Sequence, residues 1–295
     1  MVKLARIGII GLGFVGSAVK HGFDIEKNEL YLCDPKLEDS LSIKELILAC
    51  VDYIFVCVPT PISNVVTADA PHGYADPTIL MNVLEEIEVH VTATRNPIVI
   101  VKSTIPPDFW DWVGGDAPGD IPDMNLVYNP EFLKESTPDQ DFEYPPCVVL
   151  GGDADITDIV ENLYKFSSKV TCSKYIHTSL EVASFHKYTV NCWLATKVAF
   201  FNQLNDLMTE FGIESEYDGL TEALVNDDRI GASHMTVPGP DGKHGFGGSC
   251  FPKDTRAFIS FARMIGSNQT LLEEAVRYNE IVRNKTDADN DIQQE

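Results

Sequence analysis

Nowhere does the sequence run to the roughly 18 consecutive apolar residues that a membrane-spanning helix requires, so no span is expected. Basic residues are scarce: 22 Lys and Arg face 45 Asp and Glu, a formal charge of −23. That balance disfavours nucleic acid and anionic membrane as partners. It also repels an anionic substrate, so local cations have to counter the overall field. Lys102, Lys134, Arg229, Lys253 and Arg256 lie in or near the motifs described below and are the candidates. No Cys/His cluster has the spacing of a zinc site, and no metal is expected. The seven cysteines are scattered and odd in number, which points to a reducing, cytoplasmic setting rather than a disulfide framework. Internal repeats and low-complexity linkers are absent. Lys3 and Arg6 ahead of IGIIGLGFVG resemble the start of a signal peptide, but that run holds four glycines and no small-residue cleavage site. It reads as a first strand.

What is present is a chain of 295 residues, 44% hydrophobic, long enough for one large or two ordinary domains. Its first half alternates short Val/Ile-rich runs (ARIGII, LYLCD, YIFVCVP, PIVIVKS, NLVYN, CVVLGG) with helix-like stretches at Ser17–Phe23, Ser42–Ala49 and Pro77–His90. Continuous apolar runs of this kind suit parallel strands covered on both faces. The pattern predicts a Rossmann-like, doubly wound parallel α/β sheet over residues 1–179. From Glu181 to Phe211 there is no proline or glycine, and apolar residues recur at helical spacing. A helix of about 30 residues, spanning ~45 Å, is expected there. It opens an all-helical central domain over 180–285, with further helices at Leu220–Asn226, Thr255–Ile265 and Leu271–Arg283 and a polar tail at 286–295.

Gly11-Leu12-Gly13-Phe14-Val15-Gly16 follows the first strand and opens a helix. Gly11 permits a tight turn, Gly13 a close approach of backbone to pyrophosphate, and Gly16 close helix–sheet packing. Asp34, 23 residues beyond Gly11, ends the second strand where a carboxylate can accept hydrogen bonds from a ribose. An acid there repels a 2′-phosphate, so the expected cofactor is NAD.

Lys187 and Asn191 are one turn apart on the long helix and interrupt a largely apolar stripe. Periodicity alone favours a snorkelling lysine and a satisfied core asparagine over a pair aimed at one oxygen. Cys250 is set differently from the other cysteines. It follows Gly245, Gly247 and Gly248 and precedes Pro252-Lys253-Asp254. The glycines allow a ligand to approach the backbone, and Lys253 can favour the nucleophilic thiolate.

GFGGSCFPKD resembles the active-site signature of the UDP-glucose/GDP-mannose dehydrogenase family. IGIIGLGFVG, FVCVPTP, VKSTIPP, YNPEFLKES, HKYTVNCWLATKVAFFN and DDRIG agree with it in family order, to about residue 285. The resemblance implies a four-electron oxidation of a nucleotide sugar, UDP-glucose to UDP-glucuronate, in which Cys250 carries first a thiohemiacetal and then a thioester. It implies that Lys187 and Asn191 stabilise oxyanions, that Asp254 and Thr104 hold the hydrolytic water, and that Glu131 does acid/base work. Thr60, Pro61, Thr104 and Lys253 match cofactor contacts, alongside the glycine turn. Phe132, Leu133, Lys134, Phe246 and Gly247 match substrate contacts. Arg229 matches an arginine that reaches substrate in a neighbouring subunit, which implies a homodimer.

Three features depart from the family pattern. The segment between Asp34 and Val51 is short. Ser184 stands where relatives carry an acid three residues before the lysine. The chain also stops where relatives continue into a second α/β domain that covers the substrate, so a separate polypeptide completing the site is one expectation. Two other readings stay open. A two-electron dehydrogenase of the 6-phosphogluconate or 3-hydroxyacid type leaves Cys250 unexplained. A non-catalytic NAD-binding subunit leaves unexplained why Cys250, Lys187, Asn191, Asp254 and Thr104 are all present.

Overall fold

The computed structural model describes residues 5–63, 65–67, 70, 73–112 and 124–292. Seven strands form one sheet: β1 (Ala5–Ile10), β2 (Asn28–Cys33), β3 (Tyr53–Val56), β4 (Ile98–Val101), β5 (Leu126–Tyr128), β6 (Val148–Gly152) and β7 (Tyr175–Thr178). Their order is β2-β1-β3-β4-β5-β6-β7. All pairings are parallel except β5 with β6, which are antiparallel in the register Tyr128 to Gly151. The expected doubly wound sheet is therefore present, with its last two strands reversed relative to the rest.

The continuous apolar runs are covered on both faces, as their composition requires. Ile54 and Val56 face one core with Leu46, Ile47, Leu80, Leu84 and Ile87, from α2 (Ile43–Leu48) and α3 (Thr78–His90). Phe55, between them in the strand, faces the other core with Ala18, Val19 and Phe23 of α1 (Phe14–Phe23). That alternation follows from the two-residue period of a strand. The short stretch after Asp34 still forms a helix, because Ser42 and Glu45 cap α2 reciprocally. Two further helices, α4 (Pro138–Glu143) and α5 (Ala154–Ser167), and strand β7 join the elements read from the sequence.

After β7 the chain is helical. The long helix α6 covers Leu180–Phe211, followed by α7 (Tyr217–Val225), α8 (Phe251–Met264) and α9 (Thr270–Ile292). Helix α9 runs on into the stretch that the sequence suggested as a polar tail. Two compact units result: Met1–Pro61 with Asp76–Lys187, and Ile62–Ala75 with Tyr188–Glu295. The division falls within α6, after Lys187. The 62–75 stretch joins the helical unit because Ala75 and Ile62 pack with Tyr188, Ala257 and Phe258, and Ser260 Oγ donates to the Gly73 carbonyl at 2.5 Å.

The chain passes from β1 outward to β2 and then crosses to β3 on the other side of β1. In doubly wound sheets a ligand crevice lies beyond the carboxyl ends of the strands at such a reversal. Here those ends are Ile10 and Val56, paired in register.

Candidate active site

The glycine turn leaves β1 at that reversal. Gly11 has φ +85°, and a Cβ there would stand 2.7 Å from the Cys57 carbonyl oxygen. A Cβ on Gly16 would collide with the Gly11 carbonyl oxygen. Protein packing thus demands both glycines. Gly13 differs, since a Cβ there would meet nothing within 4 Å. The space in front of it is open, with room for a ligand. Phe14 and Val15 begin α1, whose first turn has no side-chain cap and no acid, leaving its amides to face an anion. Asp34 Oδ2 accepts from Leu12 N at 2.6 Å and Oδ1 from Lys36 N at 2.8 Å. These bonds, the one from Leu12 foremost, hold its carboxyl below the usual carboxylate range. Asp34 therefore braces the turn as well as offering oxygens to a ribose.

The ends of β3 and β4 are tied together by Thr60 Oγ1 donating to the Thr104 carbonyl (2.6 Å) and Ser103 Oγ donating to the Val58 carbonyl (2.7 Å). Pro61, next to Thr60, is exposed. Lys102 is buried, and its Nζ donates to Asn129 Oδ1 at 2.8 Å and to the Asn129 carbonyl at 3.1 Å. Burial, against the pull of Glu131, pushes this ammonium down from 10.5 to about 8.

Lys187 does not snorkel. It is 3% exposed, and Nζ donates to the Glu131 carbonyl at 2.6 Å and to Glu131 Oε1 at 2.9 Å. Leu133 N donates to Glu131 Oε2 at 2.7 Å. Burial opposes ionisation of Glu131, but the Lys187 charge and the bond from Leu133 outweigh it and hold the carboxyl low. The ammonium also lies 5.2 Å from the centre of the Phe132 ring. Lys134 is exposed and turned to Asp141, 3.5 Å away. Ser184, one turn before Lys187, is fully buried and accepts from the Trp110 indole at 2.8 Å. The serine thus has a structural partner, and Glu131 serves as the carboxylate beside the lysine.

In the helical unit, Cys250 is the N-cap of α8 and is half-buried, with Ser249 Oγ 3.6 Å from Sγ. One turn on, Asp254 is 1% exposed; Oδ2 accepts from Asn191 Nδ2 and Oδ1 from Lys253 Nζ, both at 2.5 Å. Two expectations change here. The Lys253 ammonium pairs with Asp254, not with the cysteine. Lys187 and Asn191 neighbour each other on α6, yet each is committed to a different carboxylate. Phe246 is buried, and Asn279, which the sequence reading passed over, binds its backbone at both N–H and carbonyl. Gly247 lies against the Arg283 guanidinium. Arg229 is 88% exposed and forks onto Asp227 of its own loop at 2.9 and 2.6 Å. Elsewhere, Asp158, Glu161 and His177 bring ligand-type atoms within 4.8 Å of one another at the surface, where His177 already bonds Thr157 and Glu161.

Comparison with known proteins finds two matching family domains. The UDP-glucose/GDP-mannose dehydrogenase family, NAD binding domain, matches residues 34–167, and the central domain of that family matches 181–281. The chain belongs to this family. UDP-glucose 6-dehydrogenase of Rickettsia bellii is 30% identical over 227 residues, covering 77% of this chain and 48% of that protein. GDP-mannose 6-dehydrogenase of Pseudomonas aeruginosa is 29% identical over 312 residues, covering 93% and 68%. A UDP-glucose dehydrogenase structure from Pyrobaculum islandicum superposes with a TM-score of 0.76 at 25% identity, covering 94% of this chain and 68% of that one. The chain spans about half the length of the UDP-glucose 6-dehydrogenases that it matches.

The first unit is accordingly an NAD-binding domain, and its residues fit the cofactor. Gly13 leaves room for a pyrophosphate, the α1 amides face it, and ionised Asp34 suits a 2′-hydroxyl. Among the described residues no helix is long and apolar enough to cross a membrane.

Two predictions follow from this geometry. Gly13→Val should weaken NAD binding at least tenfold, about 1.4 kcal/mol, since its Cβ meets no protein atom within 4 Å and points into the space left for the cofactor. Calorimetric titration with NAD checks it, and unchanged affinity would refute the assignment. Lys102 supplies the second. Between pH about 8 and 10.5 the unfolded chain keeps the proton that native Lys102 has released, so its contribution to stability rises with pH in that window. The unfolding free energy of wild type relative to Lys102→Met, from urea titrations, should therefore increase from pH 8 to 10; a flat difference would contradict it.

Proposed function

We propose that this chain carries the NAD-binding and catalytic parts of a nucleotide-sugar dehydrogenase that converts UDP-glucose to UDP-glucuronate through Cys250. The carrying observation is the setting of that cysteine at the positive end of a 14-residue helix, one turn ahead of a buried carboxylate. Burial pushes the Cys57 thiol up to about 12 and raises that of Cys192. Those two read as inert packing, whereas Cys250 is only half-buried, at the start of α8.

The net change takes one alcohol, one water and two NAD+ to one carboxylate, two NADH and three protons. NAD supplies the hydride acceptor; the remaining tasks fall to the chain. Cys250 Sγ adds to the aldehyde carbon and keeps the acyl group attached while the second hydride leaves, forming a thioester that water then cleaves with release of the thiol. Lys187 has three N–H donors and gives two to Glu131, so one remains for an oxyanion at C6. Asn191 likewise has a second amide hydrogen beyond the one given to Asp254. Asp254, its oxygens steadied by Lys253 and Asn191, suits the orientation of a hydrolytic water, a task that the family resemblance also gives to Thr104. Ionised Glu131 suits a proton acceptor. Phe132, Leu133 and Lys134 suit the nucleotide end of the substrate.

We assign the active species as a homodimer. Trp193, Phe200 and Leu207 recur at seven-residue intervals on α6 and are 61%, 60% and 64% exposed, with Phe211 beyond them. An apolar stripe with that repeat is a helix-pairing surface. Arg229, exposed on a loop that Lys197 Nζ ties to α6 through the Ile230 and Gly231 carbonyls, would exchange its Asp227 partner for the substrate of the second subunit.

Purified protein with UDP-glucose and NAD should form about two NADH per sugar consumed. A ratio near one would sink the mechanism in favour of a simple dehydrogenase. NAD binding without turnover on UDP-glucose or GDP-mannose would instead indicate a non-catalytic subunit. Cys250→Ser should keep NAD affinity and lose acid formation. Replacing Phe200 and Leu207 together by Glu should halve the mass measured by light scattering; an unchanged mass would place any interface elsewhere.

A further inference from the structure

The glycine-rich loop ahead of Cys250 is flexible by composition, yet its sulfur has to be held where a carbonyl carbon can reach it. Two consecutive residues of that loop are hydrogen-bonded by side chains from two helices, and a third lies against another side chain. Gly245 N donates to Asn202 Oδ1 of α6 at 2.9 Å. Phe246 N donates to Asn279 Oδ1 of α9 at 2.6 Å, and Asn279 Nδ2 donates back to the Phe246 carbonyl at 3.0 Å. At Gly247 a Cβ would stand 2.6 Å from Arg283 Nη2, which pairs with Asp241 Oδ2 at 2.8 Å. Asn279 and Arg283 are one turn apart on α9, so they act as one face. Meanwhile the Phe246 ring is enclosed by Cys192, Ala195, Ile259, Leu272 and Val276.

This arrangement changes the meaning of two glycines. Gly245, at φ +79°, would drive a Cβ into Asn279 Oδ1, and Gly247 would drive one into the Arg283 guanidinium. Both are small so that protein side chains can come close to the loop. Asn279 is itself buried, and its amide is spent on the two peptide groups that flank Phe246.

We propose that Asn279, backed by Arg283, is a positioning residue that fixes the site of Cys250 Sγ. The proposal rests on the reading of Cys250 as nucleophile, and it assigns Asn279 no contact with substrate. A misplacement of about 1 Å can cost on the order of a hundredfold in rate, so the clamp acts on kcat more than on KM.

The test compares wild type, Asn279→Ala and Arg283→Gln, reading the alkylation rate of Cys250 by iodoacetamide with peptide mass spectrometry, and Cys172 as control. In Asn279→Ala the Cys250 rate should change at least about fivefold, since thiol reactivity follows its local setting. The Cys172 rate and NAD affinity should stay unchanged. Acid formation should lose kcat by about ten- to a hundredfold, with KM nearly constant. Arg283→Gln, at a partly exposed side chain, should act in the same direction and keeps the test usable where Asn279→Ala fails to fold. A Cys250 rate equal to wild type in whichever variants fold would overturn the proposal, even if thermal stability falls. The alkylation readout needs no turnover. Acid formation by Cys250→Ser would thus defeat the nucleophile reading without touching the clamp.

Discussion

An ammonium group taken out of water has to find its hydration replaced by fixed oxygens, and Lys187 shows what that demands of a fold. Its partner oxygens, the carbonyl and carboxylate of Glu131, lie just beyond the carboxyl end of β5, while the lysine itself rides on α6. Satisfying the charge therefore fixes the start of the long helix against the sheet. It also keeps Glu131 ionised despite burial. Lys102, one strand over, meets the same demand with a neutral partner, Asn129, and burial pushes its ammonium down to about 8.

Neutral amides do much of the remaining positioning. Asn129 receives Lys102 and the Tyr164 hydroxyl and donates to the Val149 carbonyl. Asn191 steadies Asp254, Asn202 receives Gly245, and Asn279 spans Phe246. All four are at most 7% exposed. An amide can donate and accept at once without the desolvation cost of a charge, which suits it to holding irregular backbone next to reactive groups.

The sequence made some of this legible and hid the rest for definable reasons. Strands β1, β3, β4 and β6 announced themselves because burial on both faces leaves an unbroken Val/Ile run. Strand β7 did not, since YIHT is short and only partly covered. Helix α5 mixes acids and apolar residues that sort onto faces only once it is folded. The glycine turn, Asp34 and Cys250 carry local signals. Pairings such as Lys187 with Glu131, or Asn279 with Phe246, join residues far apart in the chain, and spacing along one helix cannot reveal them. Lys253 shows the reverse hazard: nearness in sequence to Cys250 suggested a partnership, while the helix turned the side chain to Asp254.

Asp34 has a consequence for anyone wishing to change the cofactor. Its carboxylate suits the ribose hydroxyls of NAD, and the obvious way to admit NADP is to replace it with a small neutral residue. Yet the oxygen that would be removed is the acceptor for Leu12 N, in the middle of the glycine turn. A redesign at position 34 would discard a discriminating charge and a strut of the phosphate-binding loop in one step. A new acceptor for that amide would have to be built in beside it.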